Sequence, residues 1–273
     1  GIAENLFAMN GNGIVFADTT VNEVGIYGFV QQTLAEKLTL NAGLRYQNHS
    51  VYGNNWIPSV GFAYKISELT TWKGTISKGF RSPTIRELFL WGPNPALNPE
   101  TIINYETGVS KSFFNKKMNA EITLFAVTGD NLIVNIPMQG YLNSGEISNK
   151  GIEMALNAAP TEKLTFNATY SYINMKNPIF ATPEHQLFFN LNYRIKKLQL
   201  IGNIQQIINL DSDPSPITFK ENYTLVKAKA MYNLTKNLKF YVSGENLLNQ
   251  NYVVNRYYTM PGTTVFSGIN LTF

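Results

Sequence analysis

Apolar and polar residues alternate along most of the chain. In residues 38–46 every second position is apolar and the positions between are polar or small. The alternation recurs in residues 164–172 and, with Phe188 as an exception, in residues 187–194. Because successive side chains of a β-strand point to opposite faces, each segment has one apolar and one polar face. The pattern predicts an all-β fold, and no segment shows a convincing long helical pattern.

The length of the alternating segments separates two kinds of β-protein. Strands of globular proteins are usually about 5–6 residues long, whereas a tilted membrane strand needs about 9–11. Most segments here are long enough for the second kind, and about fourteen are expected in all. The predicted strands are 22–34, 38–47, 56–66, 71–80, 104–113, 118–134, 146–159, 163–174, 185–195, 198–209, 222–234, 238–247 and 263–273, with 2–8 as a further candidate.

The predicted connections alternate between short and long. The short ones are 35–37, 67–70, 115–117, 160–162, 196–197 and 235–237, and the long ones are 48–55, 81–103, 135–145, 175–184, 210–221 and 248–262. Outer-membrane barrels have short periplasmic turns and longer extracellular loops. A soluble meander has no reason to sort its loops by side. The parity therefore predicts an antiparallel transmembrane β-barrel in a bacterial outer membrane, surrounded by lipid.

The last predicted strand, 263–273, is amphipathic and ends in Phe273. A terminal aromatic residue on such a strand is typical of the signal that outer-membrane proteins present to the barrel assembly machinery, which is therefore an expected partner. The last strand descends to the periplasm, so the long loops are expected outside the cell.

Composition agrees with a lipid-facing surface. Charged residues make up 15% of the chain, against roughly 25% in soluble domains. Aromatic residues make up 13%, which suits aromatic girdles at two membrane interfaces, although a Tyr-rich soluble sandwich is the alternative. The net charge of +4 comes from scattered residues, so no nucleic-acid partner is expected. The chain starts at Gly1 without Met, and it is expected to be a mature piece or the interior of a longer protein.

Several short motifs occur in order along the chain and resemble those of one family. They are 78–89 (KGFRSPTIRELF), 94–100 (NPALNPE), 104–108 (NYETG), 129–133 (GDNLI), 141–145 (YLNSG) with 150–153 (KGIE), and 244–252 (GENLLNQNY). Together they resemble the barrel of TonB-dependent outer-membrane receptors, such as those for cobalamin and siderophores.

The resemblance implies a fold and a function. Complete members of that family have a 22-stranded barrel filled by an N-terminal plug, so residues 1–273 are expected to form a single domain, the C-terminal part of such a barrel. The implied function is binding and uptake of a scarce large nutrient, cobalamin or an iron chelate, without a cofactor. Contact with the TonB complex is implied only through the plug, which is expected to lie outside this chain.

Candidate ligand-binding residues lie in two of the long loops. Charged, aromatic and apolar side chains occur together there, a mixture that suits a bulky ligand with apolar area and polar edges. The candidates are Arg81, Arg86, Glu87, Phe89 and Trp91 in the first loop, and Arg256, Tyr257 and Tyr258, with Met260 nearby, in the last. The alternative is structural: Arg81 and Glu87 tie their loop to the wall, and the two tyrosines belong to the outer girdle. Lys239, Tyr241, Ser243 and Glu245 are expected on the inner wall.

Catalysis finds little support. The two histidines, His49 and His185, are far apart in sequence, and a Ser-His-carboxylate site needs one of them. His185 is more simply a girdle or loop-end imidazole, and Asp211 with Asp213 forms an Asx-rich turn more readily than a metal site. No enzyme activity and no metal are expected. Two alternatives to the receptor stay open: a self-contained porin or diffusion channel of about fourteen strands, and a soluble all-β binding module.

Overall fold

The computed structural model describes residues 2–9, 15–90, 93–136, 139–143, 146–213 and 219–272, with side chains from residue 20 onward. Trp91 and Phe273, both named above, lie outside these residues, as does the expected C-terminal signal at the last residue. Within the described ranges, no helix is long and apolar enough to cross a membrane.

The described residues form one short helix, α1 (Ile85–Phe89), and eighteen strands. The strands are β1 (Ile2–Met9), β2 (Val15–Leu34), β3 (Leu38–His49), β4 (Gly53–Ser67), β5 (Thr70–Arg81), β6 (Glu100–Phe113), β7 (Met118–Asp130), β8 (Ile133–Ile136), β9 (Gly140–Asn143), β10 (Ile147–Thr161), β11 (Leu164–Met175), β12 (Pro183–Ile195), β13 (Leu198–Asp211), β14 (Lys220–Asn233), β15 (Leu238–Glu245), β16 (Val253–Asn255), β17 (Tyr258–Thr259) and β18 (Thr264–Leu271).

Fourteen of the strands form one sheet in the order β1-β2-β3-β4-β5-β6-β7-β10-β11-β12-β13-β14-β15-β18. The pairs β8–β9 and β16–β17 form separate two-stranded hairpins between long strands. The fourteen strands of the sheet are the predicted segments, so the all-β prediction is confirmed. The largest difference is at β2, which begins at Val15 rather than residue 22 and pairs with β1.

The chain forms two compact units. One consists of Gly1–Lys65, Trp72–Thr107 and Phe125–Asn149, and the other of Ile66–Thr71, Gly108–Leu124 and Lys150–Phe273. The expectation of a single domain over residues 1–273 stays a prediction.

The register shows why alternation governs these strands. In the β3–β4 pair, Leu40 lies opposite Phe62 and Ala42 opposite Val60, while Asn41 lies opposite Gly61. Apolar residues thus form continuous rows on one face of the sheet. These rows are not covered: Val60 keeps 52% of its surface exposed, and Ile269 on β18 keeps 64%. Apolar rows without a second sheet against them suit a hydrocarbon environment.

Polar side chains on the other face bond to one another. Asn190 on β12 donates to Asn203 on β13, which lies directly opposite it. On the same two strands Gln199 donates to Asn192 over 3.0 Å. The second face of β12 and β13 is thus lined by amide side chains that are hydrogen-bonded to each other.

The predicted long loop 48–55 is wrong. β3 continues to His49 and β4 starts at Gly53, leaving a three-residue turn at 50–52. His49 is buried and its Nδ1 accepts hydrogen bonds from the amides of Val51 and Tyr52. His49 pairs with Glu23 on β2, so the polar run Asn48 to Ser50, which looks like a loop in the sequence, contains the end of β3 and the start of a tight hairpin turn.

Three of the other long connections carry structure that the alternation did not predict. The predicted strand 118–134 ends at Asp130, because Asn131 has a left-handed φ of 59° that breaks the strand. The chain resumes in the β8–β9 hairpin. Helix α1 lies in the connection 82–99, and the β16–β17 hairpin in the connection 246–263.

Candidate functional site

The connection 82–99, here called the helix loop, is built around α1. Thr84 is the N-cap: its hydroxyl accepts from the Glu87 amide at 3.3 Å, and Glu87 Oε2 accepts from the Thr84 amide at 2.7 Å. This reciprocal capping box satisfies backbone donors at the helix start. Ile85, Leu88 and Leu97 are buried beneath it. The helix loop therefore has a defined local structure.

Arg81, the last residue of β5, is bound to two carboxylates. Its Nε lies 2.6 Å from Glu100 Oε2 and its Nη2 lies 2.8 Å from Glu100 Oε1. Its Nη1 contacts both oxygens of Glu87, at 3.1 and 3.0 Å. Bidentate pairs of this kind are the strong form of the ion pair. Arg81 and Glu87 thus fix the helix loop to the strand ends, as the structural alternative predicts.

The ionisation of Glu87 reflects these contacts. Burial by itself raises the pKa of Glu87, but the Arg81 guanidinium and the amide and hydroxyl of Thr84 lower it, so the pKa lies below its ordinary value. Burial, and then the charge of Glu87, raise the pKa of the nearby Tyr52 phenol. Glu87 is therefore an anion at neutral pH, paired within the loop.

A cavity of about 420 Å³ opens beside the helix loop. Its lining includes Glu23 and Arg45, which form an ion pair at 3.6 Å, together with Gln47, Arg81 and Ser82. The Ser82 hydroxyl is buried and has no hydrogen-bond partner among the described residues. Polar side chains lie beside apolar ones in the lining, so the cavity is suited to a group that hydrogen-bonds.

The β16–β17 hairpin (253–259) packs on the wall of the second unit. Tyr252 and Val254 cover a cluster of buried residues, Ile207, Leu210, Tyr223 and Leu225, on β13 and β14. The ring centroids of Tyr223 and Tyr252 are 4.4 Å apart. These apolar contacts hold the hairpin on the sheet, whereas the ion pairs of Arg81 hold the helix loop.

Arg256 holds the turn of the hairpin. Its Nη1 donates to Asp213 Oδ2 over 2.6 Å, and its backbone amide donates to the Ser212 carbonyl over 2.9 Å. The guanidinium also lies 3.6 Å from the centroid of the Phe219 ring, a cation–π contact. Asp213 is almost fully buried. The charge of Arg256 is thus matched within the protein.

The remaining predicted site residues differ in exposure. Tyr257 and Tyr258 follow Arg256 and are 77% and 68% exposed. Arg86 on α1 is exposed, whereas Phe89 is half-buried at the end of the helix. Trp91 lies outside the described residues. The seven described candidates fall in two groups, one in the helix loop and at Arg81 just before it, and one on the β16–β17 hairpin. Ligand contact by any candidate stays a proposal.

The structure also shows the surroundings of His185 and of two residues predicted on the inner wall, Tyr241 and Glu245. His185 stacks on Tyr172, with ring centroids 4.7 Å apart, and its Nδ1 lies 2.8 Å from the Tyr170 hydroxyl. Its environment is aromatic, and the interpretation as a girdle or loop-end imidazole stays a prediction. On β15, the Tyr241 ring lies 4.3 Å from Lys229 Nζ, and Glu245 pairs with Lys227 at 3.3 Å.

Two acidic residues important to this arrangement were not among the candidates. Glu100 is the last residue of the 94–100 motif, so its position in that motif was a usable signal. Asp213 was considered only as part of an Asx-rich turn. Each pairs with an arginine far away in sequence, 19 residues for Glu100 and 43 for Asp213. Sequence spacing alone does not reveal such pairs.

Long antiparallel strands with exposed apolar rows, joined in part by structured loops, are typical of the class of transmembrane β-barrels. Comparison with known proteins then gives the family. Residues 3–247 match the family described as "TonB dependent receptor-like, beta-barrel". The chain therefore belongs to this family, which confirms the resemblance, the antiparallel barrel fold and the bacterial outer membrane as its location.

Individual relatives agree. The chain is 27% identical to the iron-regulated outer membrane virulence protein of Vibrio cholerae, over 90% of this chain and 44% of that protein. It is 26% identical to the vitamin B12 transporter BtuB of Photobacterium profundum, over 84% of this chain and 40% of that protein. The chain thus spans less than half the length of these relatives.

Solved structures show the same fold. The siderophore receptor PirA from Acinetobacter baumannii superposes with a TM-score of 0.79 at 17% identity, over 94% of this chain and 46% of that one. PirA from Pseudomonas aeruginosa gives 0.77 at 21% identity, over 94% and 47%. The family and fold are those of transport receptors.

Proposed function

We propose that this chain is the part of a TonB-dependent outer-membrane receptor that captures a scarce large nutrient, an iron–siderophore complex or cobalamin, at its loop end. The observation that carries the proposal is the family match over residues 3–247. Relatives named for siderophores and for vitamin B12 support this range of ligands. No catalytic step is part of the proposed role.

The candidate residues of the two loops divide into two roles. Arg81, Glu87 and Arg256 hold their loops through ion pairs, so their charges are matched by protein groups. Tyr257, Tyr258 and Arg86 are exposed and are proposed to contact the ligand, with Phe89 and Trp91 completing the helix-loop side. Aromatic side chains on fixed loops suit such contacts, because they bury a large area at a small cost in conformational entropy.

We extend the proposal to the remaining partners. We propose that contact with the TonB complex, and the gated passage it drives, belong to a plug domain outside these 273 residues. Lipid would surround the apolar rows. The barrel assembly machinery would read the last strand, which ends in Phe273.

The experiment is uptake by the full-length protein in cells that lack their own receptors for the probes. Radiolabelled ferric enterobactin and vitamin B12 are offered with and without a functional TonB. We expect uptake of one probe that requires TonB. Uptake that is equal without TonB indicates a diffusion channel instead, and uptake of neither probe counts against the two ligand classes.

Loop replacement tests the placement of the site. The structure limits the segments to 83–98 and 248–262, because Arg81 and Glu100 belong to strands. Short Gly-Ser linkers in their place should abolish binding of the transported probe while the barrel still forms. Unchanged affinity in both loop variants would show that the loop assignment is wrong.

A further inference from the structure

One carboxylate connects the helix loop with the β8–β9 hairpin. We propose that Glu100 is a positioning residue that holds the helix loop and this hairpin together as one body, and so fixes the surface that carries Arg86 and Phe89. The role in ligand recognition rests on the proposed function, whereas the mechanical coupling does not.

Glu100 is the first residue of β6, and its side chain is only 12% exposed. Both of its oxygens are used. Oε2 accepts from Arg81 Nε, and Oε1 accepts from Arg81 Nη2 at 2.8 Å and from the backbone amide of Ile133 at 2.7 Å. Ile133 is the first residue of β8, so one side chain bonds the end of β5 to the start of the hairpin.

The connection continues into the helix. Arg81 Nη1 donates to both carboxylate oxygens of Glu87, and Glu87 caps α1 through Thr84. An unbroken series of charged hydrogen bonds therefore runs from the hairpin to the first turn of the helix that bears Arg86 and Phe89. Hydrogen bonds to charged groups are the stronger class.

A second set of bonds joins the same two elements further out. The Asn98 amide donates to Asn143 Oδ1 at 2.8 Å, and Asn143 Nδ2 donates back to the Asn98 carbonyl at 2.9 Å. Asn94 Nδ2 donates to the Tyr141 carbonyl at 2.9 Å. These bonds join neutral groups, so we assign the larger share of the coupling to the charged bonds of Glu100.

Two spin labels measure the coupling directly. The chain has no cysteine, so exposed Ala96 in the helix loop and exposed Asn135 on β8 are each replaced by a labelled cysteine in the full-length receptor in bilayers. Pulsed dipolar spectroscopy gives the distribution of label distances. We expect one narrow distribution without further change, and a distribution at least twice as broad in Glu100→Gln. Glutamine keeps the shape and one acceptor oxygen but loses the charge that holds Arg81.

Control variants separate coupling from misfolding. Glu106→Gln lies on the same strand, where its carboxylate accepts a hydrogen bond from Asn104, and should leave the distribution narrow. Arg81→Gln breaks the same ion pair from the other side and should also broaden the distance distribution. The coupling can therefore still be tested if one of the two variants folds poorly. Distributions as narrow as the unmodified receptor in both Glu100→Gln and Arg81→Gln overturn the coupling.

Binding of ferric enterobactin and vitamin B12 to the same preparations tests the role in recognition. For the probe that the unmodified receptor binds, Glu100→Gln should weaken affinity about tenfold, the effect of about 1.4 kcal/mol, and Glu106→Gln should not. A broadened distribution with unchanged affinity overturns the positioning role. Failure of the unmodified receptor to bind either probe counts against the proposed function, and the distance distributions still decide the coupling.

Discussion

The Arg256 guanidinium lies 2.6 Å from Oδ2 of Asp213, a carboxylate that is 4% exposed. Arg256, a candidate ligand-binding residue from the sequence, is therefore paired with a carboxylate of the protein itself. Because Arg256 immediately precedes Tyr257 and Tyr258, the ion pair determines where the two exposed tyrosines are presented. Loss of either partner frees the turn of the hairpin and leaves the other charge without its counterpart.

Replacing Asp213 by Asn should loosen the β16–β17 hairpin. Chymotrypsin cleaves after exposed tyrosines, and cleavage after Tyr257 and Tyr258 should become roughly 3- to 10-fold faster, a modest factor because Arg256 is partly screened by water. Timed digestion followed by mass spectrometry measures the rate. Asp130→Asn, at the exposed end of β7, is the matched control. Equal cleavage rates in the two variants would show that the ion pair does not hold the hairpin.

The two tyrosines should contribute directly to ligand affinity. Replacing both Tyr257 and Tyr258 by Ala should weaken binding of the transported probe by tenfold or more, on the order expected for aromatic anchors. Equilibrium binding to the purified full-length receptor is the measurement. Tyr232→Ala removes a tyrosine from the apolar row of β14 and should leave affinity unchanged. An effect of Tyr232 as large as that of the pair would contradict the prediction.

Acid should release the helix loop. The pKa of Glu87 lies below its ordinary value of 4.5 because Arg81 and Thr84 stabilise the anion. The stabilisation is therefore fully present above the ordinary value and is lost as pH falls through the lowered pKa. A single spin label at Ala96 should be immobile at pH 7 and become mobile well below pH 4.5. In Glu87→Gln the label should be mobile at both pH values, and a label that stays immobile there argues against the ion pair as the anchor.

Gly108 should be intolerant of any side chain. A Cβ atom at this position would lie 2.8 Å from the backbone oxygen of Ile122, which is closer than real Cβ atoms approach. Gly108→Ala must therefore shift β6 away from β7, at a cost of about 1–3 kcal/mol in the free energy of unfolding. Urea unfolding in lipid vesicles measures this cost. Gly202→Ala has open space and is the control, so equal midpoints for both variants would contradict the prediction.

The sheet was predictable because each strand has one face toward lipid and the other away from it, so apolar and polar residues alternate along the strand. Alternation does not predict segments whose structure is set by strand pairing or by local hydrogen bonds. Residues 15–21 are strand because β1 pairs with them, although residues 17–20 do not alternate clearly. Helix α1 is too short for a hydrophobic period, yet Thr84 and Glu87 at capping-box spacing were a signal in the sequence.

The candidate site was predictable only in outline. The loops and their aromatic residues follow from composition, and Tyr257 and Tyr258 are exposed as a binding role requires. The role of each charge does not follow, because it depends on partners distant in sequence. Glu100 meets both Arg81 and the Ile133 amide, which is 33 residues away. Such contacts are set by strand register and loop folding, which no local pattern specifies.

The central claim is that one face of these strands lies in hydrocarbon, and spin-label accessibility on β3 tests it most directly. Single labels at Leu40, Asn41 and Leu44 are measured in the full-length receptor in bilayers, with oxygen and a water-soluble nickel complex as relaxing agents. Oxygen should reach Leu40 and Leu44 far more than the nickel complex does, and Asn41 should show the opposite preference or protection from both. Equal preference for the nickel complex at all three positions would contradict the membrane placement and the receptor function that rests on it.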